Sequence, residues 1–387
     1  MGQRVGVVGG GQLAWMMGKA ARDLGIELVV QTPKLTDPAV AVATDTVLGA
    51  IANAETTAQL AQHCEVITFE NEFVDLDALN HLADQGVKFA PRLSALAPLL
   101  DKYHQRQFFK DLGVATPEFM AWGDRASTDI SLPSSFDFPV VLKARRHGYD
   151  GQGTHILRSP DEFKAVLAQN SDVDWLLEAF VPFERELAVM AARFADGTVV
   201  VYPVVETQQE NQVCCRVMML PHVASEVVQQ AEAIAQTVLN TLDVIGIFGF
   251  EFFLTADGRV LVNEIAPRTH NSGHYTLDAC ETSQFEQQLR AVCGLSPGST
   301  QMRCPGAVMV NLLGFEMSQS NYEKQRMALG QIPHAHVYWY GKTESRPGRK
   351  LGHVTVLLYG EDPVQIRQNA DAIAQKIESI WYDNRLN

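Results

Sequence analysis

The sequence predicts a fold of mixed class, an α/β lobe followed by α+β lobes, and three observations carry that expectation. A short β-rich run, RVGVV, passes through three glycines into an amphipathic helical pattern within the first twenty residues. Strand-like and helix-like stretches then alternate, which implies a parallel sheet with helices on its faces. Farther along, apolar and polar positions alternate as they do in antiparallel strands. At 387 residues the chain exceeds one simple core, so two or three packed lobes are expected.

Residues 1–100 form the first expected unit. Its strands read at RVGVV, IELVV (Ile26 to Val30), EVITF (Glu65 to Phe69) and VKFA (Val87 to Ala90), with helical stretches such as TTAQLAQHC between them. A second unit, residues 101–300, opens on a long basic amphipathic helix, LDKYHQRQFFKDLGVATPEF, ended by Gly113 and Pro117. The turn-forming stretch DRASTDISLPSSFDFP reads as loop. VVLKARRHGYDGQGTHIL and DWLLEAFVPFERELAVMAARF follow as antiparallel strands, with a glycine-rich lobe at about residues 115–180. The third unit, residues 301–387, begins its strands with AVMVNLLG and ends on the helix PVQIRQNADAIAQKIESIW.

Composition narrows the function. An apolar content of 46% and a charged content of 20% belong to a globular enzyme rather than a disordered or fibrous chain. A net charge of -14 argues against a broad nucleic-acid surface, which needs clustered Lys and Arg, while leaving room for local anion sites. The first strand starts within three residues of the N-terminus, so no signal peptide is expected. No stretch approaches the ~18 apolar residues of a membrane span. The six cysteines lack C-x-x-C spacing and read as buried free thiols in a reducing cytoplasm.

The motifs are unequal in weight. Gly9, Gly11 and Ala14 fit the dinucleotide fingerprint, but the second strand ends VVQTP, without the acidic residue that a nicotinamide dinucleotide ribose requires. The same turn could offer backbone amides to a phosphate, or hold no ligand. HGYDGQG places Gly148, Gly151 and Gly153 between two strands beside Lys143, a geometry for covering a polyphosphate, with a plain hairpin as the alternative. Glu178 and Glu186 could meet an adenine amine and ribose hydroxyls, or make surface salt bridges. In FGFEFFL and VLVNEIAP, Glu251 and Glu264 face one hairpin. Two buried carboxylates need a cation, and oxygen ligands suit Mg²⁺ carrying nucleotide phosphates, with buried salt bridges as the alternative. His270 and His274 lack a third ligand for zinc. Arg268, His270, Asn271 and Ser272 form a donor-rich cluster for a planar oxyanion, unless they merely cap the helix near Thr276.

NEIAPRTHNSGHYT, SQFEQQLRAV, KARRHGYDGQGT, GGGQLAWMM and RPGRKLGH together resemble the 5-(carboxyamino)imidazole ribonucleotide synthetases, ATP-grasp enzymes of purine biosynthesis, from Gly9 to about His353. The resemblance implies an ATP-grasp fold: a Rossmann-like N-terminal domain, central ATP-grasp lobes and a small C-terminal domain. It implies carboxylation of aminoimidazole ribonucleotide by bicarbonate and ATP through carboxyphosphate. Carried over, Lys102, Lys143, the loop Gly148, Tyr149, Asp150, Gly151, Gln152, Gly153 and Thr154, the strand end Glu178, Ala179, Phe180 and Val181, and Glu186, Gln209, Asn263 and Glu264 match nucleotide positions. Glu251 and Glu264 match Mg²⁺ ligands, with Mn²⁺ the alternative ion. The ribonucleotide is expected against Gln12, Leu13, Glu70 or Glu72, Tyr149 and Asp150, with its phosphate near Arg346 and Lys350. Bicarbonate falls to Arg268, His270 and Asn271, with Ser272 and Lys143 in the catalytic set. Lys102, Gln152 and Gln209 depart from the family pattern, which implies weaker closure over the phosphates. A homodimer and hand-off to a carboxyaminoimidazole ribonucleotide mutase are implied as well. The competing readings are another ATP-grasp ligase, such as a formate-dependent glycinamide ribonucleotide transformylase, and a regulatory nucleotide-binding module.

Overall fold

The computed structural model describes residues 2–123, 132–146, 148, 153–219 and 223–383. β1 (Arg4–Val8), α1 (Gln12–Leu24), β2 (Glu27–Thr32), β3 (Asp45–Leu48), α2 (Ala54–Ala61), β4 (Val66–Phe69), α3 (Leu76–Asp84) and α4 (Leu93–Leu96) build the first unit. Its four strands run parallel in the order β3-β2-β1-β4. Valines bury β1 from Val5 to Val8, and α1 turns Leu13, Met16, Met17 and Ala20 onto the sheet until Gly25, in the left-handed region, ends it. Asn53 and Asp75 accept backbone N–H groups at the starts of α2 and α3.

One expectation for this unit needs correction, and one strand was not anticipated. VKFA is no strand, because it lies between left-handed Gly86 and Pro91, leaving only a bridge from Phe89 to Ile67. DTVL, half exposed and without clear alternation, is a strand all the same, held at the sheet edge by β2.

The second unit begins with α5 (Lys102–Asp111), whose first turn is capped by the Asp101 carboxylate. β5 (Phe119–Trp122), β6 (Val140–Ala144), β7 (Thr154–Leu157), α6 (Pro160–Gln169) and β8 (Trp175–Ala179) follow, with an antiparallel sheet in the order β5-β8-β6-β7. The central sheet takes β9 (Phe183–Arg193), β10 (Val199–Val201), β11 (Val205–Glu210) and β12 (Val213–Met219). After α7 (Ser225–Leu242) it adds the hairpin β13 (Gly246–Thr255) and β14 (Val260–Ala266). Two short helices, α8 (Thr276–Ala279) and α9 (Gln284–Val292), lead to β15 (Gly306–Leu313), α10 (Glu323–Leu329), β16 (Ala335–Trp339), β17 (Lys350–Leu358) and α11 (Pro363–Trp381).

The run DWLLEAFVPFERELAVMAARF therefore divides between two sheets. Pro182 has no N–H to donate at the crossing from β8 to β9. The C-terminal strands likewise extend the central sheet, in the order β14-β13-β9-β11-β12-β15-β17-β16, through pairing of β12 with β15. Phe248, Phe250 and Phe252 of β13 pack under α7, while Phe285 and Leu289 of α9 share a buried cluster with Met16 and Met17 of α1. That second cluster fixes the parallel unit against the end of the sheet that carries the hairpin.

Candidate active site

A cavity of about 1010 Å³ lies where the parallel unit, the small sheet and the central sheet meet. The β13–β14 hairpin supplies its floor. Glu251 stands opposite Glu264 in the ladder, with a register shift just after Glu251. Burial, then the Glu264 charge, pushes the Glu251 carboxyl up to about 7. Burial would raise Glu264 too, but Lys102 Nζ lies 2.6 Å from its Oε2 and, with Lys143 beyond, brings it down to about 2. The Glu264 side chain is 41% exposed and lines the cavity. Glu186 on β9 is also raised to about 7, by burial and by Glu251.

Lys143 projects from β6 with Nζ 2.8 Å from Glu178 Oε2 and 2.8 Å from Asn263 Oδ1. Burial lowers its pKa against the pull of Glu178. Glu178 is itself fully enclosed: Arg106 of α5 takes its other oxygen. Glu178 lines the cavity together with Ala179, Phe180 and Val181, and its carboxylate is held by ion pairs that are buried rather than at the surface. Gly148 and Thr154 line the cavity beside this lysine, and Gly153 adopts φ 78°. Tyr149, Asp150, Gly151 and Gln152 lie outside the described residues. Gln209 lines the cavity from β11.

At the other end, Glu70 closes β4 and accepts the Leu13 N–H at 3.3 Å, directly over the glycine turn. Gly9 has φ 121°, and a Cβ there would meet Glu70 Cβ at 2.7 Å, so this turn needs glycine to admit the carboxylate. The Glu70 carboxylate thus stands at the start of α1. Burial raises the Glu70 pKa, with Arg268 opposing. Gln12, Leu13, Glu70, Glu72 and Lys350 all line this end.

The oxyanion cluster follows β14. Arg268 Nε lies 2.9 Å from Glu72 Oε1. His270 turns Nε2 toward Glu251 Oε1 at 3.7 Å, while its Nδ1 meets Ser272 Oγ at 2.9 Å. Gly249 of β13 makes room, since a Cβ there would meet His270 Cβ at 2.6 Å. Asn271 lines the cavity, but Ser272 is buried behind His270, where it orients the ring. Arg346 is exposed on the loop before β17 and does not line the cavity, unlike Lys350. His274 is buried against Phe285 and His353, and among the described residues no group of three or more His, Cys, Asp or Glu could hold a metal ion.

Sequence reasoning missed three residues here. Phe253 stacks on Phe183 at 4.7 Å and 8°, forming an apolar wall with Val141 and Ile156. Its place two residues after Glu251 on a strand was the available signal. Arg106 and Asn311, buried partners of Glu178 and Asn271, gave none, because their partners are distant in sequence.

The chain matches known protein families along most of its length. Residues 2–98 match the ribonucleotide synthetase preATP-grasp domain, 107–285 the ATP-grasp domain, and 307–368 the phosphoribosylaminoimidazole carboxylase C-terminal domain. The N5-carboxyaminoimidazole ribonucleotide synthase of Synechococcus elongatus is 54% identical over 379 residues, covering 98% of this chain and 95% of that one. The chain belongs to the N5-carboxyaminoimidazole ribonucleotide synthase family. Solved structures of the family extend the likeness to the whole fold. The Aspergillus clavatus carboxyaminoimidazole ribonucleotide synthase complexed with ATP superposes with TM-score 0.89 at 30% identity, covering 100% of this chain and 99% of that one. The Aspergillus clavatus enzyme in complex with ADP and 5-aminoimidazole ribonucleotide gives 0.88 at 30% identity, covering 98% of each chain. Like these synthases the chain is an ATP-grasp ligase with a parallel sheet and antiparallel sheets. No helix among the described residues is long and apolar enough to cross a membrane.

Proposed function

We propose that the chain carboxylates the exocyclic amine of 5-aminoimidazole ribonucleotide with bicarbonate, coupled to cleavage of ATP to ADP and phosphate, in the synthesis of purines. One observation carries the reading. A single cavity joins a nucleotide wall, a carboxylate pair and a cluster of anion donors in that order, from Phe253 through Glu251 and Glu264 to Arg268 and His270.

In this reading the adenine lies against Phe183 and Phe253 and the backbone of Ala179 to Val181. Glu186 and Gln209 face the ribose, and Lys143, Lys102 and the glycine loop face the phosphates. Glu251 and Glu264 fit a divalent cation, because burial together with the facing Glu264 charge raises the Glu251 pKa to about 7, a conflict that a cation relieves. Both would hold Mg²⁺, or Mn²⁺ in its place, which when bound would supply neutralisation of charge on the phosphoryl group.

Arg268, His270 and Asn271 hold bicarbonate. Its oxygen attacks the γ-phosphorus, ADP leaves, and carboxyphosphate forms. The amine nitrogen then attacks the carboxyl carbon, its proton is lost, and phosphate departs. Ser272 fixes the His270 ring, so a donor can point at the anion. Gln12, Leu13, Glu70 and Lys350 receive the ribonucleotide. Carboxyphosphate hydrolyses readily, so the glycine loop, including Tyr149, Asp150 and Gln152, serves to exclude water.

We further propose unit boundaries at residues 100 and 300, a homodimer, a cytoplasmic location, and a mutase that moves the carboxyl group onto the ring. Phosphate release assayed with and without bicarbonate and the ribonucleotide tests the reaction. Equal release without bicarbonate would reject it.

A further inference from the structure

Asn271 is locked to a residue on the opposite side of the cavity floor. Its Nδ2 donates to Asn311 Oδ1 at 2.9 Å, and Asn311 Nδ2 donates back to Asn271 Oδ1 at 2.7 Å. Asn311 sits on β15, is 3% exposed, and does not line the cavity. Its Nδ2 also donates to the Cys214 carbonyl on β12 at 2.8 Å.

These three bonds fix more than position. A primary amide has two N–H donors on one side and a carbonyl on the other, and which way it points follows from its partners. The Cys214 carbonyl is an acceptor only, so the Asn311 nitrogen must face it. With that end fixed, the Asn311 oxygen faces Asn271 Nδ2, and its second N–H faces Asn271 Oδ1. Asn271 is thereby held with its carbonyl turned away and one N–H left over. Asn271 lines the cavity, and this second N–H is its remaining donor for a ligand there. The neighbouring strand repeats the contact: His353 of β17 pairs with Asn311 in the ladder, and its ring lies 5.1 Å from that of His274. The turn that carries the oxyanion cluster thus rests on a buried polar pair from the C-terminal strands.

We propose that Asn311 is a positioning residue for the carboxylation: relayed from the Cys214 carbonyl, it holds Asn271 as a hydrogen-bond donor to bicarbonate. This rests on the bicarbonate reading of the cluster. The two charge-bearing oxygens of bicarbonate accept and do not donate, so a freely turning Asn271 would present its carbonyl to them part of the time and lose that hydrogen bond.

The test uses the full chain and steady-state phosphate release with bicarbonate, ATP and the ribonucleotide varied in turn. Asn311→Leu keeps the volume and removes every bond. Asn311→Asp keeps the shape and one acceptor but cannot donate, and it decides the matter if the leucine variant does not melt cooperatively. Both should raise the KM for bicarbonate about tenfold, leaving the KM for ATP and for the ribonucleotide within about twofold. Asn271→Ala should lose a similar factor, and Asn271→Ala with Asn311→Leu no more than Asn271→Ala alone. An unchanged bicarbonate KM, multiplied losses in the double variant, or a parallel rise of all three KM values would overturn the positioning role. Absence of bicarbonate dependence in the unaltered protein is a separate result: it would overturn the bicarbonate reading, and the relay with it, before any variant is made.

Discussion

Lys102 and Glu264 form an ion pair of 2.6 Å across the cavity, from the first residue of α5 to the end of β14. The lysine divides the fates of two carboxylates on one hairpin. Glu264, with the ammonium beside it, stays ionised down to about 2, whereas Glu251, buried and facing Glu264, is raised to about 7. Of the two, Glu264 is the one poised as a permanent anion at neutral pH.

Glu264→Gln keeps the volume and removes that anion. Turnover should fall at least about a hundredfold, or ~2.7 kcal/mol of barrier, with the melting temperature nearly unchanged, because the pair is open to cavity solvent. Phosphate release measured beside thermal melting decides it; ordinary turnover at ordinary magnesium would remove Glu264 from the metal site.

Arg268→Lys keeps the charge and loses the planar fork, which already spends Nη1 on the Thr269 carbonyl. The expected result is a rise of about tenfold or more in the KM for bicarbonate, with ATP affinity by calorimetry preserved. Collapse of nucleotide affinity with normal bicarbonate dependence would show that the arginine serves the other substrate.

The balance of what was legible follows from distance along the chain. The β1 turn, the β13–β14 hairpin and the HNSGH cluster announce themselves because their groups are neighbours in sequence or alternate on one strand. Asp45–Leu48 and the failure of VKFA were hidden, since an edge strand is decided by what pairs with it rather than by its own pattern. The continuation of the central sheet into β15 was hidden for the same reason. Ser272 and Arg346 were placed by motif, and only packing shows that one orients His270 and the other stays exposed outside the cavity.

Phe253→Ala opens the wall that faces Phe183. Removing one ring of a stacked pair should weaken ATP by about 1 kcal/mol, a roughly fivefold rise in KM, while bicarbonate dependence stays as it was. An unchanged KM for ATP would place the adenine elsewhere.

His353 gives a pH prediction. Burial lowers its pKa from 6.5 to about 3, with Tyr340 Oη at 2.9 Å and the Tyr338 and His274 rings packed against it. Below pH 6.5 the unfolded chain takes up a proton that the folded chain refuses until about 3, so this contribution is complete above 6.5 and lost as pH falls toward 3. Denaturant unfolding at pH 7.5, 6 and 5 should show His353→Gln losing less stability on acidification, by up to about 1.4 kcal/mol per pH unit. Parallel pH curves for the two proteins would mean that the imidazole is not held neutral.

The central claim is that the anion cluster beside the carboxylate pair binds bicarbonate for transfer to the ribonucleotide. Its most direct test follows ATP consumption in bicarbonate-depleted buffer with Mg²⁺ and aminoimidazole ribonucleotide present, before and after bicarbonate is added, with formate and glycinamide ribonucleotide as the comparison pair. The account predicts little consumption at first, then ADP, phosphate and an acid-labile carbamate in equal amounts once bicarbonate is added, and no response to the comparison pair. Consumption that ignores bicarbonate, or a folded, Mg²⁺-supplied protein that yields no carbamate, would contradict it.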